Sequence, residues 1–105
     1  MYLVVRSYEQ SDPRFGNEGF RRVRDELLPA LSTIEGFVSY YSAYDRARGM
    51  VTSVSVYETK EAAEESNRLA EEWGSRNLAV MGTIHPQAWV GEVLVATSAL
   101  LPREG

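Results

Sequence analysis

Two strand-like stretches, Phe37 to Asp45 and Met50 to Glu58, are joined by the short turn Arg46-Ala47-Arg48-Gly49, and each side of this hairpin carries one helical stretch and one further strand. The order βαββαβ constrains the fold more than any other feature of the chain. Right-handed crossovers place both helices on one face of a four-stranded antiparallel sheet. The other face must then meet water or another sheet. On either choice of register it would display several of Tyr2, Val4, Tyr8, Tyr40, Tyr44, Val54, Val56, Val90 and Leu94, more apolar surface than a monomer leaves uncovered. A second copy placed sheet to sheet would bury it, and twofold symmetry is the commonest way to do so. The expected state is a homodimer whose two sheets form a shared barrel with the helices outside.

The elements follow from local pattern. Tyr2 to Tyr8 alternates in residue type while both sides stay rather apolar, as in a strand covered on two faces. Ser11, Asp12, Pro13, Gly16 and Asn17 form a cluster of turn formers. Phe20, Val23, Leu27, Leu31 and Ile34 recur at spacings of three and four, which predicts one apolar helical stripe. Pro29 falls inside that helix and removes an amide, so a kink or break is expected there. Gly36 suits the helix end. Thr59 is placed to cap a second helix, whose inner stripe is Ala63, Ser66, Ala70 and Trp73. After Gly82 and Pro86 a last strand is expected over Ala88 to Thr97, with Leu100 to Gly105 a loose tail. Residues 1–99 therefore read as a single domain.

Composition narrows the chemistry. The chain has 105 residues, no cysteine and one histidine, His85, which excludes thiolate metal sites and cysteine nucleophiles and forces any histidine chemistry through one residue. His85 reads as a solvated connection residue, or as a general base if a pocket and an orienting partner adjoin it. A net charge of −4 argues against a general nucleic-acid binder. No apolar run is long enough for a membrane helix, and Met1 leads straight into Tyr2-Leu3-Val4-Val5-Arg6 without the features of a secretory leader. A cytoplasmic protein with no metal and no cofactor is the expectation.

Several residues stand out as candidates. Arg6 interrupts an apolar strand and Glu92 interrupts the last one in the same way. These strands should be antiparallel neighbours, so the expectation is a cross-strand ion pair, with anion or substrate binding by Arg6 as the alternative. Ser7, Ser53, Ser55 and Ser66 could share the helix-facing side of the sheet, either lining a cavity with hydroxyl donors or permitting close helix packing. Trp73 is a core residue or one wall of an aromatic-ligand pocket.

Met1-Tyr2-Leu3-Val4-Val5-Arg6, the passage Ile34-Glu35-Gly36-Phe37 into the second strand, and Val56-Tyr57-Glu58-Thr59-Lys60-Glu61-Ala62 from the third strand into the second helix together resemble the dimeric α/β-barrel superfamily, and within it the antibiotic-biosynthesis-monooxygenase-like (ABM-like) group. The resemblance implies the α+β fold class, a ferredoxin-like βαββαβ domain. The group includes cofactor-independent oxygenases of aromatic polyketides, haem-degrading enzymes and members without assigned activity, so the resemblance speaks to fold more than to function. The oxygenase branch has an asparagine four residues before a tryptophan near the end of strand three and an aromatic residue early in helix two; Ser53, Tyr57 and Ala63 stand there, and Tyr57 alone keeps the type. At the haem-degrading positions stand Ser7 and Ser66, with no histidine in the helix, so haem chemistry is not expected. The leading expectation is a small dimeric protein holding an apolar or aromatic ligand between helices and sheet, near Ser53, Tyr57 and Trp73. The alternative is a cofactor-free monooxygenase of a phenol or anthrone, with Tyr57 and Arg6 stabilising a phenolate.

Overall fold

The computed structural model describes residues 1–10, 16–77 and 83–97. The turn formers Ser11 to Pro13, Gly82 and the tail Leu100 to Gly105 lie outside the described residues, as does the side chain of His85.

The sheet is four-stranded and antiparallel, in the order β2-β3-β1-β4. Its central strands are β1 (Tyr2–Gln10) and β3 (Met50–Tyr57), and its edges are β2 (Phe37–Asp45) and β4 (Thr83–Glu92). The hairpin turn is built as its residues suggest: the Asp45 carboxylate accepts the Ala47 and Arg48 amides at 3.1 and 3.2 Å, and Gly49 takes a φ of +68°, a conformation that costs other residues energy. This is the α+β fold class expected from the sequence.

Arg6 of β1 hydrogen-bonds to α3 (Lys60–Asn77), so Tyr2, Val4, Arg6 and Tyr8 face the helices and Leu3, Val5 and Ser7 face away. Register carries the assignment across the sheet. Ser53 lies opposite Arg6 and Ser55 opposite Val4, and Val51, Ser53, Ser55 and Tyr57 are all buried beneath the helices. A bulge between Phe37 and Ser39 shifts the phase of β2, so Phe37 and then Tyr40, Ser42 and Tyr44 share the helix side. Rings confirm it: Phe37 meets Tyr57 edge-on with centroids 5.9 Å apart, and Tyr44 meets Phe20 at 5.8 Å.

The first helix is continuous but not uniform. It runs as α1 (Gly16–Arg22), a π-helical stretch (Val23–Leu27) and α2 (Leu28–Ser32). The expected disturbance at Pro29 takes the form of this wide turn: the Leu28 amide reaches back to the Val23 carbonyl, which moves the helical ladder off the carbonyl that the proline ring would strike. Val23, Leu27 and Leu31 stay on one buried stripe and pack with Ala70 and Trp73 of α3. Gly36, at φ +94°, closes the connection to β2. Thr59 caps α3 as expected, its hydroxyl accepting the Ala62 amide at 3.1 Å. Ala62, Ala63, Ser66 and Ala70 are buried, and their small size lets α3 lie close on the sheet.

Two expectations are corrected. The last strand begins at Thr83 rather than Ala88 and ends at Glu92. Pro86 sits within it because β4 is an edge strand and because Ser7 pairs with Gln87 while Glu9 pairs with Ile84; His85 and Pro86 together oppose Tyr8 in a bulge, where a missing amide costs little. The membership of the open face also differs. Tyr2, Val4, Tyr8, Tyr40, Tyr44 and Val90 lie on the helix side, and Leu94 lies beyond β4. Val54 and Val56 lie on the open face as expected, and Leu3, Val5, Tyr41 and Trp89 complete it. Tyr41 and Trp89 are 52% and 58% exposed, and the Trp89 ring lies against Gly91, where a Cβ would come within 2.9 Å of it.

Candidate functional site

The helix-facing side of the sheet concentrates polar groups under α3. Arg6 extends from β1 and donates through Nη2 to Asn67 Oδ1 at 2.8 Å and Ser66 Oγ at 3.4 Å. Ser66 is fully buried and spends its own proton on the Ala63 carbonyl at 2.7 Å. The expected ion pair does not form. Glu92 lies opposite Tyr2 and Arg6 opposite Ala88, so the two charges are four residues apart in register, and Glu92 instead accepts from the Tyr2 hydroxyl at 3.5 Å. Burial lowers the pKa of the Arg6 guanidinium, and Tyr57, Tyr40, Glu71 and Tyr8 act in the opposite direction.

Three phenols surround this cation. Tyr57 is 0% exposed and packs with Val4, Ala62 and Ala63. Tyr40 engages Ser53 and Ser42 by side-chain hydrogen bonding, which partly offsets the rise in its pKa caused by burial. Burial, reinforced by Tyr40 and opposed by Arg6, pushes the Tyr8 hydroxyl up to about 12. Because the folded value lies above that of an unfolded tyrosine, the neutral Tyr8 contributes stability that is complete below the ordinary phenol range and is lost as pH rises through about 12. An alkaline titration followed by tyrosinate absorbance is therefore expected to show a component with its midpoint at about 12 that Tyr8→Phe removes; a Tyr8 component titrating with free tyrosine would contradict this environment.

Of the residues singled out from sequence, Arg6, Ser53, Tyr57 and Ser66 come together beneath α3. Ser7 does not: it lies opposite Thr52 on the open face. Trp73 is in the core between the two helices, 7% exposed, and its indole donates to Glu26 Oε1 at 3.2 Å. Sequence reasoning passed over Tyr8, Tyr40 and Asn67. Tyr8 could have been found from its place two residues along the same strand face as Arg6, and Asn67 from its place beside Ser66 on α3. Tyr40 could not, since its face depends on the bulge at the start of β2.

Two grooves among the described residues border the first helix. One groove, of 330 Å³, is lined by Phe20, Arg21, Val23, Arg24, Leu28, Tyr40 and Ser42. A second, of 540 Å³, lies on the other side of Tyr40 between Leu28, Pro29, Phe37 and Tyr41. Val23 belongs as well to the buried cluster that contains Trp73. Among the described residues no cluster of side chains has the makings of a metal site, and no helix is long and apolar enough to cross a membrane.

Solved structures superpose closely on this arrangement. A dimeric ferredoxin-like protein from an uncultured marine organism aligns over 93% of this chain and 99% of its own, with a TM-score of 0.71 at 13% identity. The fold is the one the two proteins share. A putative antibiotic biosynthesis monooxygenase from Deinococcus radiodurans has this ferredoxin-like fold as well, aligning over 95% of this chain and 99% of its own (TM-score 0.73, 13% identity). So does a monooxygenase of Streptomyces coelicolor, solved in complex with nanaomycin D, over 97% and 92% (TM-score 0.69, 14% identity). No protein-family model and no curated protein matches the sequence. The ferredoxin-like fold is thus held at low sequence identity, which leaves activity to be argued from the site.

Proposed function

We propose that the protein is a homodimer, paired through its open sheet face, that holds a small apolar or aromatic ligand between the first helix and the sheet. The groove beside Tyr40 carries this reading. At 330 Å³ it reaches the range of small-molecule sites, and its lining of Phe20, Val23, Leu28 and Tyr40 with a few polar groups is the usual mixture. Ser53 supports the groove through Tyr40, and Trp73 shares a buried cluster with Val23 of its lining. The dimer is supported by the apolar open face and by the dimeric state of the marine structural neighbour. Leu94 and Val95, 83% and 92% exposed beyond β4, add apolar surface that a second copy would cover.

The test is a thermal-shift screen of flat aromatic acids, phenols and quinones. A ligand present at a hundredfold its dissociation constant stabilises by about 2.7 kcal/mol, which raises the melting temperature of a domain this size by roughly 10 °C. A complete absence of shifts across the set would count against a ligand site.

A second reading is a cofactor-free monooxygenase of an anthrone-like phenol. It is supported by the monooxygenases among the structural neighbours and by Tyr57 keeping an aromatic side chain at the one matching position. An ionised anthrone supplies the electrons itself: its methylene carbon becomes a carbonyl, one atom of dioxygen enters that carbonyl and the other leaves as water. The protein's part is to orient the substrate and exclude solvent. Oxygen consumption no faster than in buffer would exclude this reaction.

A further inference from the structure

Three polar atoms beneath the Ala63 to Asn67 turn of α3 are sealed from solvent without a hydrogen-bond partner: Arg6 Nε, Tyr57 Oη and Ser55 Oγ. Tyr57 and Ser55 are 0% and 1% exposed. Such atoms are rare in folded proteins, because each has left water without regaining a partner. Here all three can donate, and the guanidinium can do nothing else. The hydrogen bonds given for Arg6 go to neutral oxygens of Asn67 and Ser66, and among the described residues no ion pair joins it to an acid, Glu71 of α3 acting on it without a salt bridge. A desolvated cation with a free N–H, on the same face of the sheet as two free hydroxyls and acted on by one of them, Tyr57, is suited to a negatively charged acceptor.

We infer that the ligand carries a carboxylate, which seats on Arg6 Nε with the Tyr57 and Ser55 hydroxyls donating to it, while its apolar body extends toward the groove beside Tyr40. A carboxylate fits better than a single phenolate oxygen because its two oxygens offer about four acceptor positions to the three donors. Tyr40 connects the groove with the cation: it lines the groove and acts on Arg6, so the ligand's acid group reaches the sealed donors by displacing side chains at this wall. The inference rests on the ligand-binding reading and names the chemistry of that ligand.

The competing role for Arg6 is a structural tie between β1 and α3, and one experiment separates the two. The full chain, its Arg6→Met variant and its Tyr57→Phe variant are titrated calorimetrically with 2-naphthoate and with its neutral counterpart 2-naphthamide. The expected result is that the wild type binds the naphthoate at least tenfold more tightly than the amide, that Arg6→Met abolishes this preference while keeping amide binding, and that Tyr57→Phe weakens naphthoate severalfold and leaves the amide unchanged. Should Arg6→Met fail to fold, as circular dichroism would show, Tyr57→Phe and Arg6→Gln carry the comparison. Equal affinity for both compounds, or binding of the amide alone, overturns the carboxylate while leaving the ligand reading intact. A preference that survives loss of Arg6 overturns its assignment. Binding of neither compound overturns both readings together and leaves Arg6 as the tie.

Discussion

Val54→Asp is expected to leave the protein monomeric at micromolar concentration, where the proposed pairing makes the wild type a dimer. Val54 is half-buried on β3, opposite Val5 of β1 and Tyr41 of β2, in the middle of the open apolar face. A carboxylate there must either lose its water when a second sheet closes over it or keep the sheets apart, and in a twofold dimer the penalty is incurred twice. A loss of about 4 kcal/mol corresponds to a thousandfold weaker dimer. Light scattering coupled to size-exclusion chromatography reads the outcome directly, with Val54→Ile as the control that keeps the face apolar. A variant that stays dimeric would move the interface elsewhere on the molecule, and a monomeric wild type would remove the pairing altogether.

The second large effect belongs to the core between the helices. Leu31→Ala should cost about 3 kcal/mol, since Leu31 is 0% exposed among Val23, Leu27, Ala70 and Trp73 and its removal leaves a cavity that these neighbours, fixed on two helices, can close only in part. For a domain of this size that lowers the melting temperature by roughly 12 °C. The comparison must be made at one protein concentration, because dimerisation would add its own stabilisation by mass action. A loss below about 1 kcal/mol would mean that the first helix repacks freely on α3.

The order of elements and most of their limits were legible because each rests on local chemistry. Gly36 and Gly49 stand where positive φ is needed, Thr59 where a cap is needed, and the stripe from Val23 to Leu31 repeats at helical spacing. What could not be read locally was register. β1 and β3 carry apolar residues on both faces, and a slip of one residue exchanges the faces without any change in hydrophobicity. That ambiguity placed Ser7 with the buried serines and assigned Tyr40 and Tyr44 to the open side. The same limit produced the Arg6 and Glu92 pairing: both residues interrupt apolar strands and the strands are neighbours, yet the observed register sets Glu92 against Tyr2. Pro86 misled in another way, since a proline reads as the end of a strand unless the strand is known to be an edge. The candidate site was legible as a list of residue types under one helix, but Tyr40 was not, because it enters the site only through the bulge that shifts the phase of β2.

The wide turn at Val23–Leu27 means that the first helix is one residue longer than its path along the sheet requires. Surplus and proline belong together. Deleting a single residue from that turn would restore ordinary helical winding and drive the Pro29 ring into the backbone behind it, whereas the same deletion paired with Pro29→Ala would give a straight rod that still presents its aliphatic ridge to α3. A one-residue shortening at this place is therefore expected to be tolerated only in company with a second change, a coupling that thermal melts of the two single variants and the double variant would expose.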